Sequence, residues 1–238
     1  MSLNGKRVLL IGGTSGIGFA TATAAAERGA FVAVASSSQD RVTTALKRLP
    51  DTAEGHVLDV TDETAIAEFF EHFGDYDHLV YTAGDSLRLG SFAESTPEKA
   101  KAFFETRFWG SYAVAFHGAE RIRPGGSIVL SSGSAGVRPR KGMTIAAAVT
   151  SAAEAMARAL AVELAPIRVN VVRPGPTRTE MWHHSVADPE VVYANFADHL
   201  LVGRVGEAEE VARAYVFLME QTFATGSVLT VDGGHFLG

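Results

Sequence analysis

Three glycines near the start of the chain have the spacing of a phosphate-binding turn. Gly12, Gly16 and Gly18 lie in Ile-Gly-Gly-Thr-Ser-Gly-Ile-Gly, after an apolar run at residues 7–11 that predicts a strand and before Ala-rich residues 19–28 that predict a helix. Such a turn offers an anion unpaired backbone N–H groups and the positive end of the helix dipole, and glycines let a pyrophosphate approach the backbone. We therefore predict a dinucleotide site. The residues of the turn that we expect to bind it are Gly12, Thr14, Ser15, Gly16, Ile17 and Gly18.

Small hydroxyl residues follow the second predicted strand, residues 31–35. In NAD-binding chains an acidic residue about 20 positions after the glycines holds the ribose hydroxyls. Ser36 occupies that place here, with Ser37 next to it and Arg41 nearby. A carboxylate would repel the 2′-phosphate of NADP, whereas hydroxyls and a guanidinium accept it. The sequence thus favours NADP over NAD, with these three residues as ligands; the alternative is that the serines serve only as turn and helix-cap residues.

Predicted strands alternate with predicted helices along all 238 residues. This alternation predicts one α/β domain, residues 1–238, with a doubly wound, mostly parallel sheet and helices on both faces. The further strands are predicted at residues 55–60, 77–82, 127–132, 167–172 and 227–231. The further helices are predicted at residues 39–49, 62–73 with Thr61 as the cap, 98–121, 144–164 and 207–219, with a loop at 85–97 and a partly helical segment at 181–202.

The amino-acid composition argues against several classes of binding partner. The formal net charge is −6 and there is no run of Lys or Arg, which argues against nucleic acid. The absence of cysteine excludes disulfides, thiol nucleophiles and Cys-ligated metals, and we predict no metal site. No apolar stretch approaches the roughly 20 residues of a membrane span. We expect a soluble, cytoplasmic protein with no membrane partner.

Several motifs, in this order, resemble the short-chain dehydrogenase/reductase family over essentially the full chain. They are the glycine turn, Asp59-Val60, Ala83-Gly84, residues 160–170, Arg173-Pro174-Gly175-Pro176-Thr177 and Val231-Asp232-Gly233-Gly234. The resemblance implies a seven-stranded Rossmann-type sheet, NADP or NAD as cofactor, a small-molecule substrate, a substrate lid around residues 178–203, and a homotetramer or homodimer. It adds cofactor-binding residues, namely Asp59, Val60, Ala83, Gly84, Pro174, Gly175 and Thr177.

The usual active-site residues of that family are not matched. The family works with Asn, Ser, Tyr and Lys, where Tyr donates the proton and Lys lowers its pKa. The corresponding positions hold Arg107, Gly133, Ala146 and Thr150, and no tyrosine in the chain is followed by lysine four residues later. The chain therefore resembles a divergent branch that keeps the cofactor turn and lacks the usual proton donor.

Three residues are candidates for the catalytic roles that the family's usual residues would perform. Arg107 could polarise a carbonyl or bind a carboxylate; the alternative is a structural ion pair with an acid such as Glu154. Ser132 could orient a carbonyl, and His183, beside His184 in the lid, could transfer a proton unless it faces solvent. Two functions stay open: an NAD(P)-dependent oxidoreductase of small carbonyls or alcohols with a substituted proton donor, or an NAD(P)-binding sensor or subunit without turnover.

Overall fold

The computed structural model describes residues 3–84 and 90–238, and strands alternate with helices there as the sequence predicts. Residues 85–89 of the predicted loop lie outside the described residues. The strands are β1 (Arg7–Ile11), β2 (Phe31–Ser36), β3 (Glu54–Val57), β4 (Tyr76–Tyr81), β5 (Ile122–Ser131), β6 (Arg168–Pro174) and β7 (Val228–Val231). The helices are α1 (Gly16–Ala26), α2 (Gln39–Leu46), α3 (Glu63–Phe73), α4 (Pro97–Phe104), α5 (Gly110–Gly118), α6 (Thr144–Glu163), α7 (Pro189–Ala197) and α8 (Ala208–Glu220).

In the described part of the chain the strands form one seven-stranded parallel sheet, in the order β3-β2-β1-β4-β5-β6-β7. From β1 the chain adds β2 and β3 toward one edge of the sheet, and from β4 it adds β5, β6 and β7 toward the other edge. The carboxyl ends of β1 and β4 therefore flank the topological switch point, where parallel α/β sheets bind ligands. This confirms the predicted doubly wound fold.

Apolar layers cover both faces of the sheet. On one face Ile66, Phe70 and Phe73 of α3 are buried against the strands, as their helical spacing predicts, and Phe69 packs beside them. On the other face α1 and α8 pack against each other and the sheet. Burial on both faces is why the strands are near-continuous apolar runs rather than alternating ones.

One apolar stretch is longer than the sequence analysis expects. Among the described helices, α6 is long and apolar enough to cross a membrane. Its Val149, Ala153 and Ala157 are buried, and the helix contacts β5 and β6. These contacts pack one side of the helix against the sheet of the domain.

The single helix predicted at residues 98–121 is divided. A π-helical turn, Glu105–Trp109, separates α4 from α5, and π-helical turns often occur at functional sites. Gly110 begins α5 where a Cβ would lie 2.7 Å from the Tyr81 hydroxyl, so the glycine lets the helix lie against the end of β4. This contact places Arg107 at the carboxyl edge of the sheet.

Two smaller predictions near β3 are wrong. The α3 cap is Asp62, whose carboxylate accepts a hydrogen bond from the Ala65 N–H at 3.1 Å, and not Thr61. Thr61 instead donates its hydroxyl to Asp59 at 2.8 Å. β3 ends at Val57 rather than at residue 60, and the residues that follow turn toward the switch point, where Asp59 is located.

Truncation of Phe70 tests the predicted core. Phe70 is 2% exposed, and Phe70→Ala should lower the free energy of unfolding by about 3–5 kcal/mol because it removes buried area and leaves a cavity. Urea unfolding followed by circular dichroism measures the loss. Phe223→Ala is the control, since Phe223 is 97% exposed, and an equal loss in both variants would contradict this assignment.

Candidate functional site

A large cavity opens at the carboxyl ends of the strands beside the switch point. This first cavity has a volume of about 650 Å³. Of the predicted cofactor-binding residues, those that line it are Gly12, Thr14, Ser15, Gly16, Ile17, Gly18, Ser36, Ser37, Arg41, Asp59, Val60, Ala83, Gly84 and Pro174. The other two, Gly175 and Thr177, line an adjoining second cavity of about 170 Å³. The structure thus brings the whole predicted set to one edge of the sheet.

Two glycines allow the turn between β1 and α1 to lie against the end of β4. Gly12 has a φ of +83°, and a Cβ there would be 2.5 Å from the Ala83 nitrogen. A Cβ on Gly18 would be 2.2 Å from the Gly12 carbonyl oxygen. Any side chain at either position would separate α1 from the sheet. The close contact places the N-terminus of α1 at the wall of the first cavity.

An oxyanion already occupies this N-terminus. The Gly16 N–H donates to the Glu180 carboxylate at 2.9 Å, and Glu180 begins the 3₁₀ turn Glu180–His184 that follows β6. Unpaired N–H groups at a helix N-terminus bind phosphate for the same reason that they bind this carboxylate. Within the chain, Glu180 therefore stands in for the phosphate oxygen that the glycine spacing predicts.

The hydroxyl of Thr179 is a second feature that suits a phosphate. It is buried, lines both cavities and has no hydrogen-bond partner among the described residues. Thr177 is the threonine predicted from the sequence, but its hydroxyl donates to the Gly175 carbonyl at 3.0 Å and the residue lines only the second cavity. Both threonines lie in the same short segment, and no sequence signal tells which one faces the first cavity.

The end of the first cavity away from Gly16 carries the residues predicted to bind a 2′-phosphate. Ser36, Ser37 and Arg41 line it, and the Arg41 side chain is exposed with no ion pair to a described residue. The carboxylate of Asp59 is held by the Thr61 N–H at 2.9 Å and by the Thr61 hydroxyl. The only cation that the lining supplies at this end, within the described chain, is the Arg41 guanidinium.

Two of the three candidate catalytic residues lie where the cavities meet. The residues that line both cavities are Ile17, Arg107, Ser132, Pro174, Thr179 and Met181. His183 is exposed and lines neither cavity, so its catalytic role stays a prediction that this geometry does not favour. The side chain of His184 lies outside the described atoms.

Arg107 is positioned by the π-helical turn. Its guanidinium carbon lies 4.7 Å from the Phe103 ring centroid, and its Nη2 is 4.0 Å from the Met181 sulfur. A Cβ on Gly84 would be 2.5 Å from Nη1, so this glycine leaves room for the guanidinium at the end of β4. Glu154, the acid given as an example of a structural ion-pair partner for Arg107, binds another arginine.

That arginine is Arg173 of β6, and it shares Glu154 with Ser132. Arg173 donates to Glu154 through Nε at 2.7 Å and Nη2 at 2.6 Å, and the Ser132 hydroxyl donates at 2.8 Å. Burial opposes ionisation of Glu154, but these hydrogen bonds outweigh it and lower its pKa. With its proton directed at Glu154, Ser132 offers lone pairs to the cavity, so it accepts hydrogen bonds from a ligand.

The two residues predicted to stand at the family's usual Tyr and Lys positions also face the second cavity. Ala146 and Thr150 line it, and the Thr150 hydroxyl donates to the Ala146 carbonyl at 2.8 Å. No tyrosine is among the described residues that line this cavity. Tyr215 lines the first cavity, but burial raises its pKa even though its hydroxyl shares a 2.7 Å hydrogen bond with Ser131. A raised pKa is the reverse of what a proton donor near neutral pH needs.

Known proteins resemble this chain over nearly its whole length. A family model described as Enoyl-(Acyl carrier protein) reductase matches residues 12–235. The short-chain dehydrogenase/reductase ATR9 of Stachybotrys chlorohalonatus is 36% identical, with 99% of each chain covered. A crystal structure of a small-chain dehydrogenase in complex with NADPH is 38% identical, with 99% of this chain and 100% of that chain covered and a TM-score of 0.87.

A third relative is named for a second activity besides reduction. The structure of MalC Reductase/Diels-Alderase from Malbranchea aurantiaca is 31% identical, with 99% of this chain and 98% of that chain covered and a TM-score of 0.91. The sheet order, the glycine turn at the switch point and these full-length similarities lead to one conclusion. The chain belongs to the short-chain dehydrogenase/reductase family of oxidoreductases.

Proposed function

We propose that the protein is an NADP-dependent oxidoreductase that transfers hydride between the nicotinamide and a small carbonyl or alcohol, with a substituted group in place of the tyrosine acid. One observation carries this proposal. The first cavity runs without interruption from Ser37 and Arg41, at the 2′-phosphate end, past Gly16 to Arg107 and Ser132, where the second cavity begins. A dinucleotide along this path would bring its nicotinamide to the cavity junction.

The cofactor would be held by named groups of this chain. The Gly16 N–H and the Thr179 hydroxyl would bind the diphosphate, and Ser37 and Arg41 the 2′-phosphate. The related dehydrogenase that contains NADPH supports this assignment. When bound, NADPH supplies the hydride, and the protein has to orient the acceptor and stabilise the charge that develops on its oxygen.

Arg107 is our candidate for that stabilisation. Its N–H groups can donate to a carbonyl oxygen at the cavity junction and hold the alkoxide that forms there. A guanidinium stays protonated at any ordinary pH, so Arg107 polarises and does not donate its proton. The proton would then come from water, and Ser132 would orient the substrate by accepting a hydrogen bond from one of its O–H or N–H groups.

A second candidate function is cofactor binding without turnover, as a sensor or an inactive subunit. The observation that favours it is the lining of the second cavity, which includes Ala146 and Thr150, the residues predicted at the usual Tyr and Lys positions, and no tyrosine among the described residues. NADPH oxidation across a broad panel of carbonyls separates the two. Saturable NADPH binding with no oxidation throughout the panel would select this second function.

We expect Arg107→Ala to lower kcat/KM by about 10²–10³, the usual loss when one donor to a developing oxyanion is removed. Arg107→Lys should recover part of the loss because it restores the charge without the planar fork. Turnover is followed by NADPH absorbance and cofactor affinity by fluorescence. Wild-type turnover in Arg107→Ala would contradict the assigned role.

Arg41→Gln should weaken NADPH binding by about tenfold and leave NADH binding nearly unchanged, since it removes one charge-assisted contact to the 2′-phosphate. Calorimetric titration with each cofactor measures both affinities. Lys47→Gln, at the exposed C-terminal end of α2, is the matched control for loss of a positive charge. Equal weakening of NADPH and NADH binding would contradict the assignment of Arg41 to the 2′-phosphate.

Glu180→Gln should strengthen NADPH binding by about three- to tenfold, because the diphosphate no longer competes with a carboxylate at the Gly16 N–H. Glu27→Gln is the control, as it removes an exposed acid beside the opposite end of α1. Unchanged or weaker binding in Glu180→Gln, measured by the same titration, would show that the carboxylate and the phosphates use different places.

A further inference from the structure

The second cavity is apolar but carries positive charge at its wall. Its large apolar lining residues are Ile17, Phe103, Met143, Val149, Met181, Trp182 and Phe196. Three arginines, Arg107, Arg138 and Arg140, also line it, and no Asp or Glu does so among the described residues. An apolar wall lowers the local dielectric and strengthens the attraction of the half-buried Arg107 and Arg138 guanidiniums for an anion, while Arg140 is exposed.

Two of these arginines lie on the loop before α6, away from the first cavity. The Arg138 guanidinium donates to the His235 carbonyl, so the loop is bound to the C-terminal turn of the chain. The guanidinium carbon of Arg140 lies 5.3 Å from the Phe196 ring centroid. Neither side chain forms an ion pair with a described acid. Both guanidiniums keep N–H groups that can donate to a bidentate oxyanion.

His235 provides a second, independent observation that points to a ligand site in this cavity. Its side chain lines the cavity, the residue is 3% exposed, and its Nδ1 is buried with no hydrogen-bond partner in the described chain. A buried polar atom without a partner costs about 1–3 kcal/mol, which a ligand could recover.

The charge state of His235 suits the same ligand. Burial lowers the pKa of His235, and Arg140 and Arg138 lower it further, while Asp232 acts in the opposite direction. Asp232 itself is bound by the backbone N–H groups of Gly234 at 3.0 Å and Phe236 at 3.2 Å. The imidazole is therefore neutral at pH 7 and can donate one hydrogen bond without adding a titrating charge.

We propose that the second cavity binds an apolar carboxylic acid as substrate, with its carboxylate on Arg138 and Arg140 and one hydrogen bond to His235. The apolar part of the acid lies against Phe196 and Trp182, and the reacting carbon lies toward the cavity junction. This inference rests on the proposed function, because it takes the second cavity as the place of the substrate.

The test compares two probes of nearly equal size and shape at pH 7.5 with saturating NADPH: hexanoate, whose head group is an anion that only accepts hydrogen bonds, and the neutral hexanamide. Trp182 lines the cavity, and the chain has two tryptophans, so a Trp109→Phe background makes the fluorescence report on Trp182 alone. Hexanoate should bind about tenfold tighter than hexanamide, the gain expected from charge-assisted hydrogen bonds. Calorimetry on the chain with both tryptophans repeats the comparison without that substitution.

The double variant Arg138→Gln with Arg140→Gln should reduce the preference to about twofold or less, since the guanidiniums supply it. Arg121 is an exposed arginine just before β5 at the opposite edge of the sheet, and the control variant Arg121→Gln should keep the preference for hexanoate. Equal affinity for the two probes, or a preference that survives the double variant, would overturn the carboxylate site. NADPH affinity is measured first: its absence would refute the proposed function, whereas NADPH binding without a carboxylate preference refutes this inference alone.

Discussion

The close approach of the β1–α1 turn to the end of β4 determines where the rest of the site lies. It needs glycine at residues 12 and 18, because a Cβ at either place would collide with backbone atoms. As a result α1 starts at the cavity wall with its N–H groups unpaired by the helix. Glu180 and Thr179 lie beside that N-terminus, and Ser36 and Ser37 line the far end of the same cavity. The same principle operates at Gly110 and Gly84, which let α5 and Arg107 approach β4.

The polar groups at the cavity junction are suited to binding and polarisation more than to proton transfer. Glu154 is fixed by Arg173 and by Ser132, so neither its charge nor the serine proton is available to a ligand. Burial raises the pKa of Tyr215 and lowers the pKa of His235. What remains is a set of guanidinium N–H groups beside an apolar wall, where electrostatic stabilisation is strong. Such groups would support the proposed reaction by polarising the substrate rather than by donating a proton.

Local patterns predicted most of the fold and the cofactor end of the site. Apolar runs marked β1, β2 and β4, and the glycine spacing marked the turn, because each depends on residues adjacent in the chain. Long-range features could not be found in this way. The pairing of Glu154 with Arg173 depends on how α6 packs on β6, and the π-helical turn at Arg107 has no local signature. Likewise, Arg138 and His235 are 97 residues apart and meet only in the folded chain.

The central claim is that the N-terminus of α1 binds the phosphates of a nicotinamide dinucleotide and that the hydroxyl residues after β2 favour the 2′-phosphate. The most direct test is calorimetric titration of the unaltered protein with NADPH and NADH at equal ionic strength. The account predicts one saturable site per chain for NADPH, with affinity about tenfold higher than for NADH. Absence of saturable heat with both nucleotides would contradict it.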